Sequence, residues 1–261
     1  MTRMILVGYL GRMGKTIRET VESDPETVIA AGIDIKAGED KASQPFPTYC
    51  SIDECADPAD VILEFSWADR LPCVIDYALS RGMPLVVCTT GLNGECEAKL
   101  NRAADSIPIF RSANMSLGVS LLKSLVEKAA RILYGSGFDI EIIERHHNQK
   151  LDAPSGTAEM LARAANEALG GGLRPVYDRT GNNEKRSRGE IGIHAVRGGT
   201  IVGDHTVIFA GRDEVVELSH SARSKEIFAV GALRAAKFLA GKASGMYGMD
   251  DLIGSENDRE T

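Results

Sequence analysis

The sequence predicts an α/β fold in two parts: a doubly wound parallel sheet, and an α+β domain built on an open mixed sheet. Three observations carry this. Short apolar runs alternate with helix-like stretches through residues 1–113, as in a parallel sheet covered on both faces. A glycine-rich turn follows the first of these runs. From Phe138 the texture changes to polar–apolar alternation, the mark of strands with one open face, before a strong helix at 227–239 returns. The chain therefore reads as one domain at 1–113 and 226–261, interrupted by a second at 114–225. The two crossings are expected to act as hinges.

In the first domain, Ile5-Leu6-Val7 leads into Gly8-Tyr9-Leu10-Gly11-Arg12-Met13-Gly14 and then a helix from Lys15 to Val21. Such a turn lets the backbone approach a pyrophosphate lying on the helix N-terminus, as in Rossmann-like domains. Leu10 stands where the usual G-x-G-x-x-G has its second glycine, so this stretch alone reads equally well as a bare tight turn. Asp34 ends the second strand, Val28–Ile33, where a carboxylate can grip the adenosine ribose hydroxyls. Val61–Ser66 and Leu85–Cys88 read as buried strands around a helix from Leu71 to Leu79. Ligands bind at the carboxyl ends of such strands, which places Phe65-Ser66 and Thr89-Thr90-Gly91 at the site. Trp67 is expected to pack partly buried in its loop. Ile107–Phe110 is the next strand, and Ser120–Leu133 an amphipathic helix.

The second domain, to which the Ser120–Leu133 helix belongs, continues with a strand at Phe138–Ile143 and a helix at Ala158–Leu169, stopped by Gly170-Gly171-Gly172. The loop from Glu144 to Thr157 carries His146, His147, Lys150 and Ser155-Gly156-Thr157. Histidine exchanges protons near neutral pH, and lysine is a point cation. Ser155 and Thr157 are capping types, and taken alone plain capping accounts for them equally well. Amides at a helix start, with Gly156 allowing close approach, make an anion site. Together the set suits an acid that protonates a substrate held by its carboxylates.

Arg174–Arg188 reads as a mobile loop. Glu190–Arg197, Thr200–Phe209 and Glu214–Leu218 read as an antiparallel meander turned at Gly198-Gly199. His194, His205 and His220 are expected to be ordinary hydrogen-bonded strand histidines, and Ser255–Thr261 a frayed charged tail.

The net charge of −7 argues against nucleic acid as partner, and it makes the local concentration of Arg145 and Lys150 significant for an anionic ligand. No apolar run approaches a membrane span and no secretory segment is recognisable, so a cytoplasmic protein is expected, with no membrane partner. All five cysteines precede residue 100 and all five histidines follow residue 145, which predicts no metal site and reduced, buried, inert thiols.

The stretch Glu144–Ala158 resembles the E-x-H-H-x-x-K-x-D-A-P-S-G-T-A signature of the dihydrodipicolinate (4-hydroxy-tetrahydrodipicolinate) reductase family of bacterial lysine biosynthesis. Gly8–Gly14 has that family's G-x-x-G-R-M-G form, and Ala113–Val119 resembles its A-N-x-S-x-G-V segment near the nicotinamide. Glu64 and Cys88 depart from the family's D-F-T/S and G-T-T-G. The resemblance implies NADH- or NADPH-dependent reduction, with loss of water, of a cyclic dicarboxylate, by a homotetramer assembled through the exposed sheet. It implies His146 as proton donor and Lys150 as second donor, with His147, Ser155, Gly156 and Thr157 holding substrate. Cofactor contacts fall on Gly8, Tyr9, Leu10, Gly11, Arg12, Met13, Asp34, Thr89, Thr90, Gly91, Ala113, Asn114 and Met115. The family's substrate-contacting arginine is matched by Lys225, with Arg223 close by. Ile35 replaces the arginine that often follows the acidic residue. If the strand stays extended, Lys36 lies on the side of Asp34 and can meet a 2′-phosphate, giving dual use that favours NADH. Two rivals remain: a dehydrogenase of another small amino acid, and a non-catalytic dinucleotide sensor.

Overall fold

The computed structural model describes residues 1–39, 44–181 and 183–257. The chain divides into two compact units: Met1–Leu117 with the segment from Glu226 onward, and Gly118–Lys225.

The first unit holds β1 (Thr2–Val7), α1 (Arg12–Glu22), β2 (Thr27–Ile33), β3 (Thr48–Tyr49), β4 (Val61–Glu64), α2 (Leu71–Arg81), β5 (Leu85–Val87), α3 (Gly94–Ala103) and β6 (Pro108–Arg111). After the second unit it resumes with α6 (Glu226–Leu239), β12 (Gly245–Tyr247) and α7 (Met249–Asn257). Its seven strands run in the order β12-β6-β5-β4-β1-β2-β3, and every pairing is parallel. Strand alternation explains why the runs are continuously apolar. Met4 and Leu6 enter a core that includes Ile17 of α1 and Leu233 and Ala236 of α6. Ile5 and Val7 enter a separate core with Val74 and Ile75 of α2 and Leu100 of α3. The charged tail expected from Ser255 is helical as far as Asn257; residues 258–261 lie outside the described residues.

The second unit holds α4 (Leu117–Leu133), whose first residue belongs to the first unit, β7 (Asp139–His146), α5 (Gly156–Ala168), β8 (Arg174–Val176), β9 (Glu190–Arg197), β10 (Gly203–Ala210) and β11 (Val215–Ala222). Its sheet is mixed, in the order β11-β10-β7-β9-β8. The expected meander is incorrect at one point. β9 and β10 are not neighbours, because β7 lies between them, parallel to β9 and antiparallel to β10. The Gly198-Gly199 turn instead closes on the end of β7: Gly198 N donates to His146 O, and Asn148 N to Gly199 O.

Strand β7 also runs three residues further than Phe138–Ile143 predicts. Its inward positions are Ile140, Ile142, Glu144 and His146, so polar residues continue an apolar stripe. Ile140 and Ile142 pack with Leu122 and Val126 of α4 and Leu161 and Ala165 of α5.

The segment 174–188 is more tied down than a mobile loop. β8 pairs with β9, and Arg186 donates to Asp139 (2.7 Å), to Glu141 (2.8 Å) and to the carbonyls of Ile140 and Glu190. Arg179 reaches Glu190 and Glu141. Burial pushes the Glu141 carboxyl up, but Arg186, His194 and Arg179 outweigh it and hold it below the ordinary range.

Candidate active site

The first unit builds a cleft where β1, β2 and β4 end. Gly8 has φ +85°, and a Cβ there would lie 2.7 Å from Phe65 O. Gly14 is pressed against the same turn, since a Cβ would lie 2.2 Å from Gly8 O. The two glycines bring α1 onto the strand ends, with Gly11 as its N-cap and no side chain competing for the first amides. Asp34 follows β2 and accepts from Leu10 N (3.3 Å) and Lys36 N (3.0 Å). The cleft, about 200 Å³, is lined by Gly8, Gly11, Asp34, Ile35, Trp67 and Arg70 among others. This cradle fits a dinucleotide: close backbone at a helix start, and a carboxylate at the end of the second strand.

Several expectations change here. The strand does not stay extended past Asp34; Ala37 N bonds Asp34 O in a turn, so alternation no longer places Lys36. Lys36 is not among the residues lining the cleft, and among the described ones Arg70 is the one cation that is. Trp67 is 76 % exposed rather than packed away. Tyr9 and Met115 are buried, their side chains serving the core of this unit. Asn114 Oδ1 accepts from Ser116 N, which shapes the Ala113–Met115 turn. The Thr89 hydroxyl is used on the fully buried Glu64, which also accepts from Ser66 N. Burial pushes the Glu64 carboxyl up despite these bonds. Cys55, Cys88 and Cys96 are buried and their thiols pushed up, chiefly by burial, but Cys50 and Cys73 are exposed. Among the described residues no group of three or more His, Cys, Asp or Glu is placed to hold a metal ion.

The second unit brings the loop residues to one corner of its sheet. Glu144, wholly buried, receives Arg197 on both oxygens at 2.7 Å, His146 Nδ1 on Oε2 at 2.6 Å and Ser155 N on Oε1 at 2.9 Å. Arg197 also donates to Asp152 O, and Asp152 pairs with Lys150 at 2.9 Å. Lys150, Asp152, Arg197, Glu144 and His146 therefore form one continuous chain of polar contacts. The Lys150 ammonium holds the Asp152 carboxyl below its ordinary range.

Ser155 is the N-cap of α5: its Oγ accepts from Ala158 N (3.2 Å) and contacts His205 Nε2 (2.9 Å). Gly156 is exposed, with open space where a Cβ would point, so the chain at the start of α5 can be approached closely. Thr157, next in sequence, and His147, next to His146, are half-buried. Arg145 points to the opposite face of β7 and pairs with Asp204, so the cation that joins Lys150 at this corner is Arg197 instead. Arg223 and Lys225 are exposed just beyond β11.

Three participants were not legible as such in the sequence. Glu144 stood in the signature without a role, and Arg197 looked like an ordinary strand end. His205 looked like an ordinary strand histidine, as His194 is through its 2.7 Å contact with Glu141. The alternation Ile140, Ile142, Glu144, His146 was the available signal.

Residues 2–115 match the family model for the N-terminus of dihydrodipicolinate reductase, and residues 118–253 match the model for its C-terminus. The chain belongs to the dihydrodipicolinate reductase family. It is 49 % identical to the 4-hydroxy-tetrahydrodipicolinate reductase of Caldanaerobacter subterraneus subsp. tengcongensis, over 97 % of this chain and 98 % of that one. It is 45 % identical to the 4-hydroxy-tetrahydrodipicolinate reductase of Clostridium novyi, over 98 % and 100 %. A solved structure of a dipicolinate-bound dihydrodipicolinate reductase from Paenisporosarcina sp. TG-14 superposes with a TM-score of 0.80 at 24 % identity, covering 96 % of this chain and 99 % of that one, and shows the shared fold. Within this reductase family the N-terminal half is the dinucleotide-binding domain, and NADH or NADPH is the reductant.

Proposed function

We propose that the polar corner on β7 is where this reductase protonates its substrate. The chain is an NAD(P)H-dependent oxidoreductase of lysine and diaminopimelate biosynthesis, reducing 4-hydroxy-tetrahydrodipicolinate to tetrahydrodipicolinate with loss of water. The observation that carries the site reading is His146 held on the buried Glu144–Arg197 pair, on the chain of contacts that ends at Lys150. Bound nicotinamide supplies the hydride. The chain's own residues do the rest. His146 gives a proton to the enamine carbon left by reduction. Lys150 stabilises charge developing on the ring-nitrogen side. His147, Ser155, Gly156, Thr157 and the start of α5 hold the carboxylates.

On the cofactor side, Gly8, Leu10, Gly11, Arg12 and Met13 offer the turn and helix start, and Asp34 the ribose carboxylate. Thr90 and Gly91 lie beyond β5, and Ala113 and Asn114 beyond β6. Asp34 opposes a 2′-phosphate, so NADH is favoured; Arg70 is the cation in the cleft available to NADPH. The outward face of the second unit's sheet, with Val196 and Val215 exposed, supports assembly as a homotetramer. No helix among the described residues is long and apolar enough to cross a membrane, which is compatible with a cytoplasmic location.

The test is a coupled assay with synthase-generated substrate. His146→Ala and Lys150→Ala should each lower kcat by about 10²–10⁴-fold, with NADH affinity unchanged. Near-full turnover in either variant removes that residue's role. Sedimentation of the intact protein decides the tetramer.

A further inference from the structure

An ionised carboxylate only accepts hydrogen bonds. Burial pushes the Glu144 carboxyl up, but Arg197, His146 and the Ser155 amide outweigh it and hold it below the ordinary range, so it is ionised at neutral pH. His146 Nδ1, 2.6 Å from Glu144 Oε2, must then carry a hydrogen in both charge states of the ring. The neutral ring is the Nδ1–H tautomer, and the proton that comes and goes sits on Nε2.

Nε2 faces Gly203 at the start of β10. A Cβ at that position would lie 3.0 Å from Nε2 and 3.3 Å from its neighbouring carbon, so glycine keeps the space before this nitrogen clear. The ring of His205 stands edge-on at 5.1 Å between centroids. Burial first, and the charge of His146 second, push His205 down to about 4. It is neutral at physiological pH. The other charged or titratable groups at this corner are Arg197 on β9, His220 on β11, and Lys150 and Asp152 in the loop, while Asp204 on β10, paired with Arg145, acts from the opposite face.

We propose that Glu144 and Arg197 are positioning residues that lock the His146 ring, so that its proton leaves from Nε2 through the space kept open by Gly203. This rests on reading His146 as the proton donor. In the step the Nε2–H bond breaks and a C–H bond forms on the substrate. The electron pair of the broken bond stays on Nε2. Arg197 keeps Glu144 ionised throughout, so the Nδ1 proton stays on the ring while Nε2 gives its own away.

Long-range ¹H–¹⁵N correlation spectra of histidine-labelled full-length protein test this without turnover. Neutral His146 should show a pyrrole-type Nδ1 and a pyridine-type Nε2; the reverse pattern overturns the proposal. In Glu144→Gln the tautomers should mix, kcat should fall by about 10²-fold, and the alkaline limb of the kcat profile should move to lower pH. NADH affinity, read from the fluorescence of Trp67, should not change. Gly203→Ala should keep the wild-type tautomer and lose a similar factor in kcat. Wild-type turnover in Gly203→Ala, or an unmoved limb in Glu144→Gln, also overturns the proposal. Should Glu144→Gln fail to fold, the wild-type spectrum decides alone. If His146→Ala keeps full turnover, the proton-donor reading itself is wrong; if it is inactive while Glu144→Gln behaves as wild type, only the positioning role fails.

Discussion

The Thr89 hydroxyl donates to the buried Glu64 carboxylate across 2.6 Å, joining the carboxyl ends of β4 and β5. Where the family has a shorter acid at the end of β4, this chain has a glutamate long enough to reach the next strand. The same hydroxyl lies 3.0 Å from Ser66 O and can turn to it. Glu64→Gln should therefore be well tolerated: its oxygen keeps the Ser66 donors, and its amide donates to Thr89. The expected stability change at pH 8 is within about 1 kcal/mol, read by denaturant titration. A loss of several kcal/mol would mean that the charge itself is required.

Acid should destabilise the second unit. Glu141 and Glu144 both have depressed folded-state pKa values, so their stabilisation is complete above the ordinary glutamate range and is lost as pH falls through the depressed values. Glu64 works the other way: its raised value favours the fold at low pH and opposes it as pH rises. Arg197→Met leaves Glu144 buried without its cation, at a cost of about 3–5 kcal/mol at neutral pH. The deficit should shrink as pH falls, because burial now raises the unpaired Glu144 carboxyl and protonation relieves it. Melting temperature followed across pH for both proteins checks this.

Cofactor choice should depend on Arg70 more than on Lys36. Arg70→Ala should weaken NADPH by about tenfold, with much less effect on NADH, because an exposed guanidinium meeting a phosphate contributes roughly 1–1.5 kcal/mol. Lys36→Ala should change the ratio little. Added salt should weaken NADPH more than NADH. Equal loss of both cofactors in Arg70→Ala would instead place that side chain on the adenine.

Ser155→Ala and Thr157→Val should separate capping from binding. Ser155 caps α5 and touches His205, so its loss should cost about 1–3 kcal/mol of stability. Thr157→Val should weaken a planar pyridine dicarboxylate inhibitor, measured by calorimetry. Unchanged inhibitor affinity would remove Thr157 from the substrate site.

The first unit was largely legible because its information is local. Each buried strand is a short apolar run, and the glycine turn at Gly8–Gly14 announces itself by spacing. The same holds for Ser155, whose capping role follows from type and position. What stayed hidden depends on partners distant in the chain. Nothing near Arg197 tells that it answers a carboxylate 53 residues earlier. The order of β9 and β10 around β7 is not legible because neighbours in sequence need not be neighbours in space. The position of Lys36 is hidden because β2 turns at Asp34, where the side chain folds back on the Lys36 amide.

The central place of β7 in its sheet makes the Glu144–His146 corner a test of register. Glu144 takes its partners from residues 11 and 53 positions further along, and lies opposite His205 on β10. A slip of one residue on either neighbour would turn Arg145 and His147 inward and send Glu144 and His146 to the open face. A nascent chain that ends before residue 197 holds the acidic half of this corner without its counter-ion. The corner is thus complete only when its longest-range pairing, Glu144 with Arg197, has closed.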